Sequence, residues 1–376
     1  MNPRTHKAPL AAICALFIPA LIGMRFPIRV TQDPKQDQEA PAIKLKTDLV
    51  SVTAAVNDRE GRAIKSLGID DFVVYENGIR QKIALFNTSE EAFSLMLLLD
   101  ISGSTSDEIE LMKSAARSFL AELRKEDRAG VIVFSREVEL IADFTDSRSK
   151  AESAIAGVAT AEATNGHRFN PNTGTSFYDG VYLAVAESPL KQAHGRKAIV
   201  CMTDGVDSTS KLGYAEVAKL AEQSDASVYF LQLDTEAATL EALLKPKTDP
   251  SYVNLSQSQI KRYYDEYDPD SIDSHRPAST FSPSALRKIN GGLYTMARRE
   301  MRELAERTGG RVYPVATLGD LEGVYKQLAA ELRSQYSIGY YSSNTASDGR
   351  WRTIRVEVHR AGAVVRARSG YWAPGR

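Results

Sequence analysis

The chain has 376 residues, of which 43% are hydrophobic and 25% charged, long enough for a sizeable core and for more than one domain. A formal net charge of −1 offers no bulk basic surface for nucleic acid or for an anionic membrane. The five scattered histidines form no HExxH pair, and the two cysteines, Cys14 and Cys201, exclude a disulfide framework and a cysteine-based zinc site.

At the N-terminus Arg4 and Lys7 precede an apolar run over residues 8–24, the layout of a secretory signal. Pro9 and Pro19 interrupt the run, which is short for a membrane span. Leu21 and Gly23 are the nearest approach to a small-residue cleavage site, so residues 1–26 read as a signal peptide or as an uncleaved anchor. Either reading exports the chain, to a secreted, periplasmic or cell-envelope location, with membrane contact only if the segment is retained. Residues 27–42 read as a linker, polar and punctuated by proline over 31–42.

Over residues 43–90 the apolar period becomes two. "LVSVTAAVND" alternates, "REG" turns, and "DFVVYENGIRQKIALF" carries Asn77-Gly78 between two strand-like runs, a strong hairpin signal. This β module of about four strands is thin for a domain on its own. From Ser94 strands and helices alternate. Apolar strand cores lie at residues 95–99, 130–134, 198–202 and 228–233, with a shorter one at 311–313. Between them, Ile109, Met112, Ala116, Phe119, Leu120 and Leu123 mark one helical face, as do the patterns over 182–187, 215–223, 296–307 and 321–335. Gly309-Gly310 is a helix stop. The alternation predicts an α/β domain over residues 91–335, a doubly wound, mostly parallel sheet covered on both faces. Residues 238–292, rich in Pro, Ser, Asp and Tyr, read as an insertion, either a functional loop or partly disordered. Period two returns over residues 336–376, and these strands are expected to pair with the 43–90 module in a small β-sandwich.

The chemistry gathers where apolar strands stop. The run at 95–99 ends in Asp100-Ile-Ser102-Gly-Ser104, with a helix expected from about Asp107. "NTGTSFYDG" puts Thr175 just before a helix expected near Tyr178, and "AIVCMTDGVDS" puts Asp204 at another strand end. Two carboxylates and three hydroxyls at carboxyl-end loops are hard oxygen donors, suited to Mg2+ or to Mn2+ in its place. Asp-x-Ser-x-Ser alone would be an ordinary helix cap. Asp207, Ser208 and Thr209 read as cap or turn residues, His167 as exposed and polar, and the Tyr-Asp-Glu cluster at 263–268 as a solvated loop. Cys201 reads as core, and Tyr340, Tyr341, Trp351, Tyr371 and Trp372 as sheet packing.

The set Asp-x-Ser-x-Ser, Thr and Asp-Gly, in this order within an α/β chain, resembles the metal-ion-dependent adhesion site of the von Willebrand factor type A domain. The resemblance covers roughly residues 92–335, less the insertion. It implies a metal set of Asp100, Ser102, Ser104, Thr175 and Asp204, with the hydroxyls on the ion directly and the aspartates acting largely through water or hydrogen bonds. The ion would then keep a position for an acidic side chain of a protein partner. The whole chain is also similar to a bacterial subgroup of exported type A proteins, through Asp71-Phe72, Glu76-Asn77-Gly78, residues 335–341 and residues 367–372.

No Gly-x-Ser-x-Gly elbow, no Walker A string and no placed base for a metal-bound water occur, so the expectation is a binding module and not an enzyme. The alternatives are a cell-envelope scaffold or accessory subunit whose metal is structural or absent, and, behind it, a metal-dependent hydrolase.

Overall fold

A computed structural model of the chain describes residues 49–88, 92–102, 109–145, 148–158, 174–193, 195–249 and 252–375. The signal or anchor, the linker and Cys14 lie outside the described residues, as do Ser104, Asp107 and His167.

Residues 49–87 form four strands, β1 (Leu49–Asn57), β2 (Phe72–Glu76), β3 (Ile79–Gln81) and β4 (Ile83–Asn87). The turn between β2 and β3 has φ of 48° at Asn77 and 80° at Gly78, the left-handed pair that a two-residue hairpin needs. An α/β domain follows: β5 (Phe93–Asp100), α1 (Ile109–Ala121), β6 (Arg128–Phe134), β7 (Val138–Thr145), α2 (Arg148–Gly157) and α3 (Phe177–Tyr182). It continues through β8 (Arg196–Thr203), α4 (Tyr214–Gln223), β9 (Ala226–Leu233), α5 (Glu236–Leu244), α6 (Gln257–Tyr267), α7 (Pro283–Thr308), β10 (Val312–Val315) and α8 (Leu321–Arg333). Four last strands are β11 (Tyr336–Tyr341), β12 (Trp351–Val358), β13 (Val364–Ala367) and β14 (Gly370–Trp372).

The central sheet has the order β10-β9-β8-β5-β6-β7 and is parallel except for the β6–β7 hairpin. All eight residues of β5 are buried, because helices cover both faces and no side chain alternates into water. Leu95, Leu97 and Leu99 pack with α1, α2 and α8 on one face, and Met96 and Leu98 with α3, α4 and α7 on the other. Cys201 of β8 is fully buried in the second core.

Two four-stranded sheets, β13-β1-β11-β4 and β14-β12-β2-β3, carry the rest. Each mixes strands from before and after the α/β domain: β1 runs antiparallel to β11 and β13, and β2 to β12. Their facing sides share one core around Val52, Val74, Tyr336, Ile338 and Ile354. At its end Glu76, 2% exposed, accepts from Tyr340 Oη, Ser342 Oγ and Tyr371 Oη at 2.9, 2.6 and 3.0 Å and faces Arg352 at 3.4 Å. Trp351 and Trp372 stack edge-on at 5.5 Å, whereas Tyr341 points outward, 55% exposed, and does not join the packing expected of it.

Several expectations need correction. Residues 238–292 are not one loop: they hold most of α5, all of α6 and the start of α7, joined by irregular stretches and short 3-10 turns, and α7 buries its apolar row from Ile289 to Leu304. Leu243, Leu255, Ile260, Tyr264, Phe281 and Leu293 close a small core of their own there. The cluster at 263–268 accordingly lies mostly on α6, with Tyr264 buried. Strand β7 and helix α2 were not anticipated, because an edge strand and a short, polar helix bury too little to leave a clean period.

Candidate functional site

From β5 the chain steps outward to β6 and β7, then returns to the other side of β5 for β8, β9 and β10, so the winding reverses between β5 and β8. Parallel α/β sheets open a crevice at such a reversal, outside the carboxyl ends of the strands. Leu99 pairs with Met202, which brings Asp100 and Thr203 side by side at that crevice.

Asp100 is wholly buried. Its Oδ1 accepts from the Ser102 backbone N–H at 3.0 Å, and its Oδ2 from Thr203 Oγ1 at 2.6 Å. Thr203 Oγ1 in turn accepts from the Gly205 N–H at 2.9 Å. Burial, followed by the neighbouring Asp204 carboxylate, pushes the Asp100 carboxyl up to about 7. Asp204, 2% exposed, accepts from the Val206 N–H at 2.9 Å on Oδ1 and from Thr235 Oγ1 at 2.5 Å on Oδ2. Tyr294 Oη, from α7, reaches the same Oδ2 at 3.3 Å and shares hydrogen bonds with Thr235 and Thr239. Gly205 turns with φ of 76°, and a Cβ there would stand 2.8 Å from Met301 Cε.

Thr175 arrives on a clamped loop. Its carbonyl accepts from the Ser208 and Thr209 N–H groups at 2.9 and 3.1 Å, and its own N–H donates to Ser208 Oγ at 2.7 Å. The next residue, Ser176, donates its N–H to the Ser135 carbonyl just beyond β6. Asp207 Oδ1 accepts from the Phe177 N–H at 3.0 Å and from Ser210 Oγ, starting α3. Asp207, Ser208 and Thr209 are thus turn and cap residues in service of the Thr175 loop. Gly174 has φ of 126°, and a Cβ would lie 2.5 Å from Thr209 Cγ2, so the close passage requires glycine.

Four of the five expected ligands are therefore described: Asp100, Ser102, Thr175 and Asp204, each under a tenth exposed and each on a carboxyl-end loop. Ser104 lies outside the described residues. Among the described residues no three His, Cys, Asp or Glu side chains gather as a metal cluster, so a cation here depends on hydroxyl oxygens. The donor set fits a hard divalent ion. Two carboxylates sit buried against each other, and the hydroxyl of Thr175, 7% exposed, makes no hydrogen bond among the described residues. Sequence reasoning missed Thr203, Thr235 and Tyr294. Thr203 adjoins Asp204 and was legible as a hydroxyl at a strand end; Thr235 and Tyr294 come from 31 and 90 residues further along.

Residues 95–206 match the family model of the von Willebrand factor type A domain. The chain carries a von Willebrand factor type A domain. The chain is 22% identical over 180 residues to an uncharacterized protein of Borreliella burgdorferi, covering 46% of this chain and 48% of that protein. It thus spans about half the length of the curated relative it matches. Among solved structures it is similar to the conserved hypothetical protein BatB from Bacteroides thetaiotaomicron, at TM-score 0.40 and 16% identity over 65% of this chain and all of that one. It is also similar to a von Willebrand factor type A protein from Catenulispora acidiphila, at TM-score 0.41 and 11% identity over 78% of this chain and 71% of that one. No helix among the described residues is long and apolar enough to cross a membrane.

Proposed function

We propose that this chain is an exported binding module of the cell envelope, not an enzyme, that engages an acidic group of a protein partner through Mg2+ or Mn2+. Asp100, Ser102, Ser104, Thr175 and Asp204 would hold the ion, which supplies a positive charge that a partner's carboxylate completes. The observation that carries the reading is the juxtaposition of the buried Asp100 and Asp204 carboxylates at the sheet's reversal point. This chain's own residues do the positioning: Thr203 aims Asp100, Thr235 and Tyr294 aim Asp204, and Ser208 and Thr209 hold the Thr175 loop. The basic start and apolar run of residues 1–26 support export.

One observation favours the scaffold reading. Every oxygen of Asp100 and Asp204 already accepts a hydrogen bond within the chain, so both carboxylates are held in place without an ion. Cross-linking in the native envelope fraction separates the two. The proposal expects partner capture in Mg2+ that is lost in chelator and in Asp100→Ala; capture at full strength in both establishes the scaffold.

A further inference from the structure

Asp100 ends β5 and Asp204 follows directly on β8, so the central sheet itself places both carboxylates. Thr175 has no such support: it lies on a loop, two residues before α3, and its place must be fixed from elsewhere. All three hydrogen bonds of its backbone among the described residues end on Ser208 and Thr209, so whatever places Ser208 places Thr175. Apart from Thr175, the hydrogen bonds of Ser208 among the described residues go to helix α6 alone. The Ser208 carbonyl accepts from Ser256 Oγ at 3.0 Å and from Ser258 Oγ at 2.5 Å. Helix α6 belongs to the segment between β9 and α7 and adds no strand to the central sheet.

The start of α6 is itself fixed. Ser256 is its N-cap: Ser256 Oγ accepts from the Gln259 N–H at 3.1 Å, and the Ser256 N–H donates to Gln259 Oε1 at 2.9 Å. Ser258 is not needed for that cap and is exposed, yet its hydroxyl turns back onto Ser208. A second hold comes from Arg262, one turn further along α6. It lies over the Tyr178 ring at 5.1 Å and pairs with the buried Glu300 of α7, which also accepts from Tyr178 Oη at 2.5 Å. Tyr178 is in the first turn of α3, three residues after Thr175. Helix α6 therefore reaches the Thr175 loop at two points, one through Ser208 and one through Tyr178.

We propose that Ser256 and Ser258 are positioning residues that, through the Ser208 carbonyl, fix Thr175 in the place from which its hydroxyl meets the cation. The hold itself needs no ion; its effect on cation affinity rests on the cation reading.

The test removes both hydroxyls from the full chain by Ser256→Gly with Ser258→Ala, because glycine at an N-cap costs a helix little. In chelator, the amides of Thr175, Ser208 and Thr209 should exchange about tenfold faster, while those of β8 and of the second half of α6 keep their protection. In titrations with Mg2+ the Kd should rise about tenfold. Ser256→Thr with Ser258→Thr returns the hydroxyls and should restore both quantities, whereas Gln259→Ala, which loosens the cap and keeps the hydroxyls, should leave the Kd within about twofold. Ser258→Ala alone, at an exposed position outside the cap, should move both quantities the same way by about threefold. Unchanged exchange at Thr175, Ser208 and Thr209 would overturn the hold. Faster exchange there with an unchanged Kd, or an equal rise in Kd with Gln259→Ala, would overturn the positioning role. No Mg2+ binding by the unaltered chain would sink the cation reading instead, with the exchange measurement still deciding whether the serines hold the loop.

Discussion

Thr203 Oγ1 donates to Asp100 Oδ2 at 2.6 Å, across the seam between β8 and β5 where the sheet reverses its winding. One hydroxyl thus orients a carboxylate and, by accepting from the Gly205 N–H, also shapes the turn that carries Asp204. Thr203→Val keeps the shape and removes both bonds, taking a donor from the buried Asp100 carboxylate and an acceptor from the buried Gly205 N–H. The expected loss is about 1–3 kcal/mol in urea unfolding, with Thr203→Ser largely restoring stability.

The β-sandwich has its own buried charge. Glu76 and Arg352 are 2% and 4% exposed, and three hydroxyls close around the carboxylate. Glu76→Ala removes the buried carboxylate facing Arg352, leaving the guanidinium on the Asn344 and Ala346 carbonyls and on Asp348 at 4.0 Å, and is expected to cost roughly 3–5 kcal/mol. Hydrogen exchange should rise in β1, β2, β11 and β12 while the central sheet keeps its protection. Uniform loss of protection throughout would show instead that the two parts unfold together.

Asp207 supplies a pH dependence. Burial pushes its carboxyl up to about 6 despite the Ser210 hydrogen bond and the nearby Arg262 charge, which favour the charged form. With the folded value above the unfolded one, the folded state holds its proton more tightly. The stability from this group is full below about pH 4 and declines as pH rises towards 6. Asp207→Asn keeps an acceptor for the Phe177 N–H and should flatten that decline, by on the order of 2–3 kcal/mol across the window. Thermal melts from pH 4 to pH 7 read it directly.

What was legible in the sequence was what burial on both faces makes legible. Strand β5 has no polar residue until Ser94 or Asp100 at its ends, so the position of Asp100 at a carboxyl end could be read without coordinates. The same holds for Asp204 after β8. Helix α6 was not legible, because its buried residues are only Ile260 and Tyr264 and the rest of it is polar. Nor were Thr235 and Tyr294, whose hydroxyls matter only once β9 and α7 have been folded against Asp204. Asp207 to Thr209 followed from turn chemistry, but that they grip Thr175 is a tertiary fact.

We propose that the crevice at Asp100 and Asp204 holds a divalent cation, and calorimetric titration of Mg2+ into the full chain decides it. Saturable single-site binding is expected, reproduced with Mn2+ and abolished in Asp100→Ala, with the variant's central sheet equally protected from exchange. Saturation should also raise the melting temperature, since an ion at about a hundred times its Kd stabilises the folded state by about 2.7 kcal/mol. No saturable heat at millimolar Mg2+, or the same binding in Asp100→Ala, would contradict it.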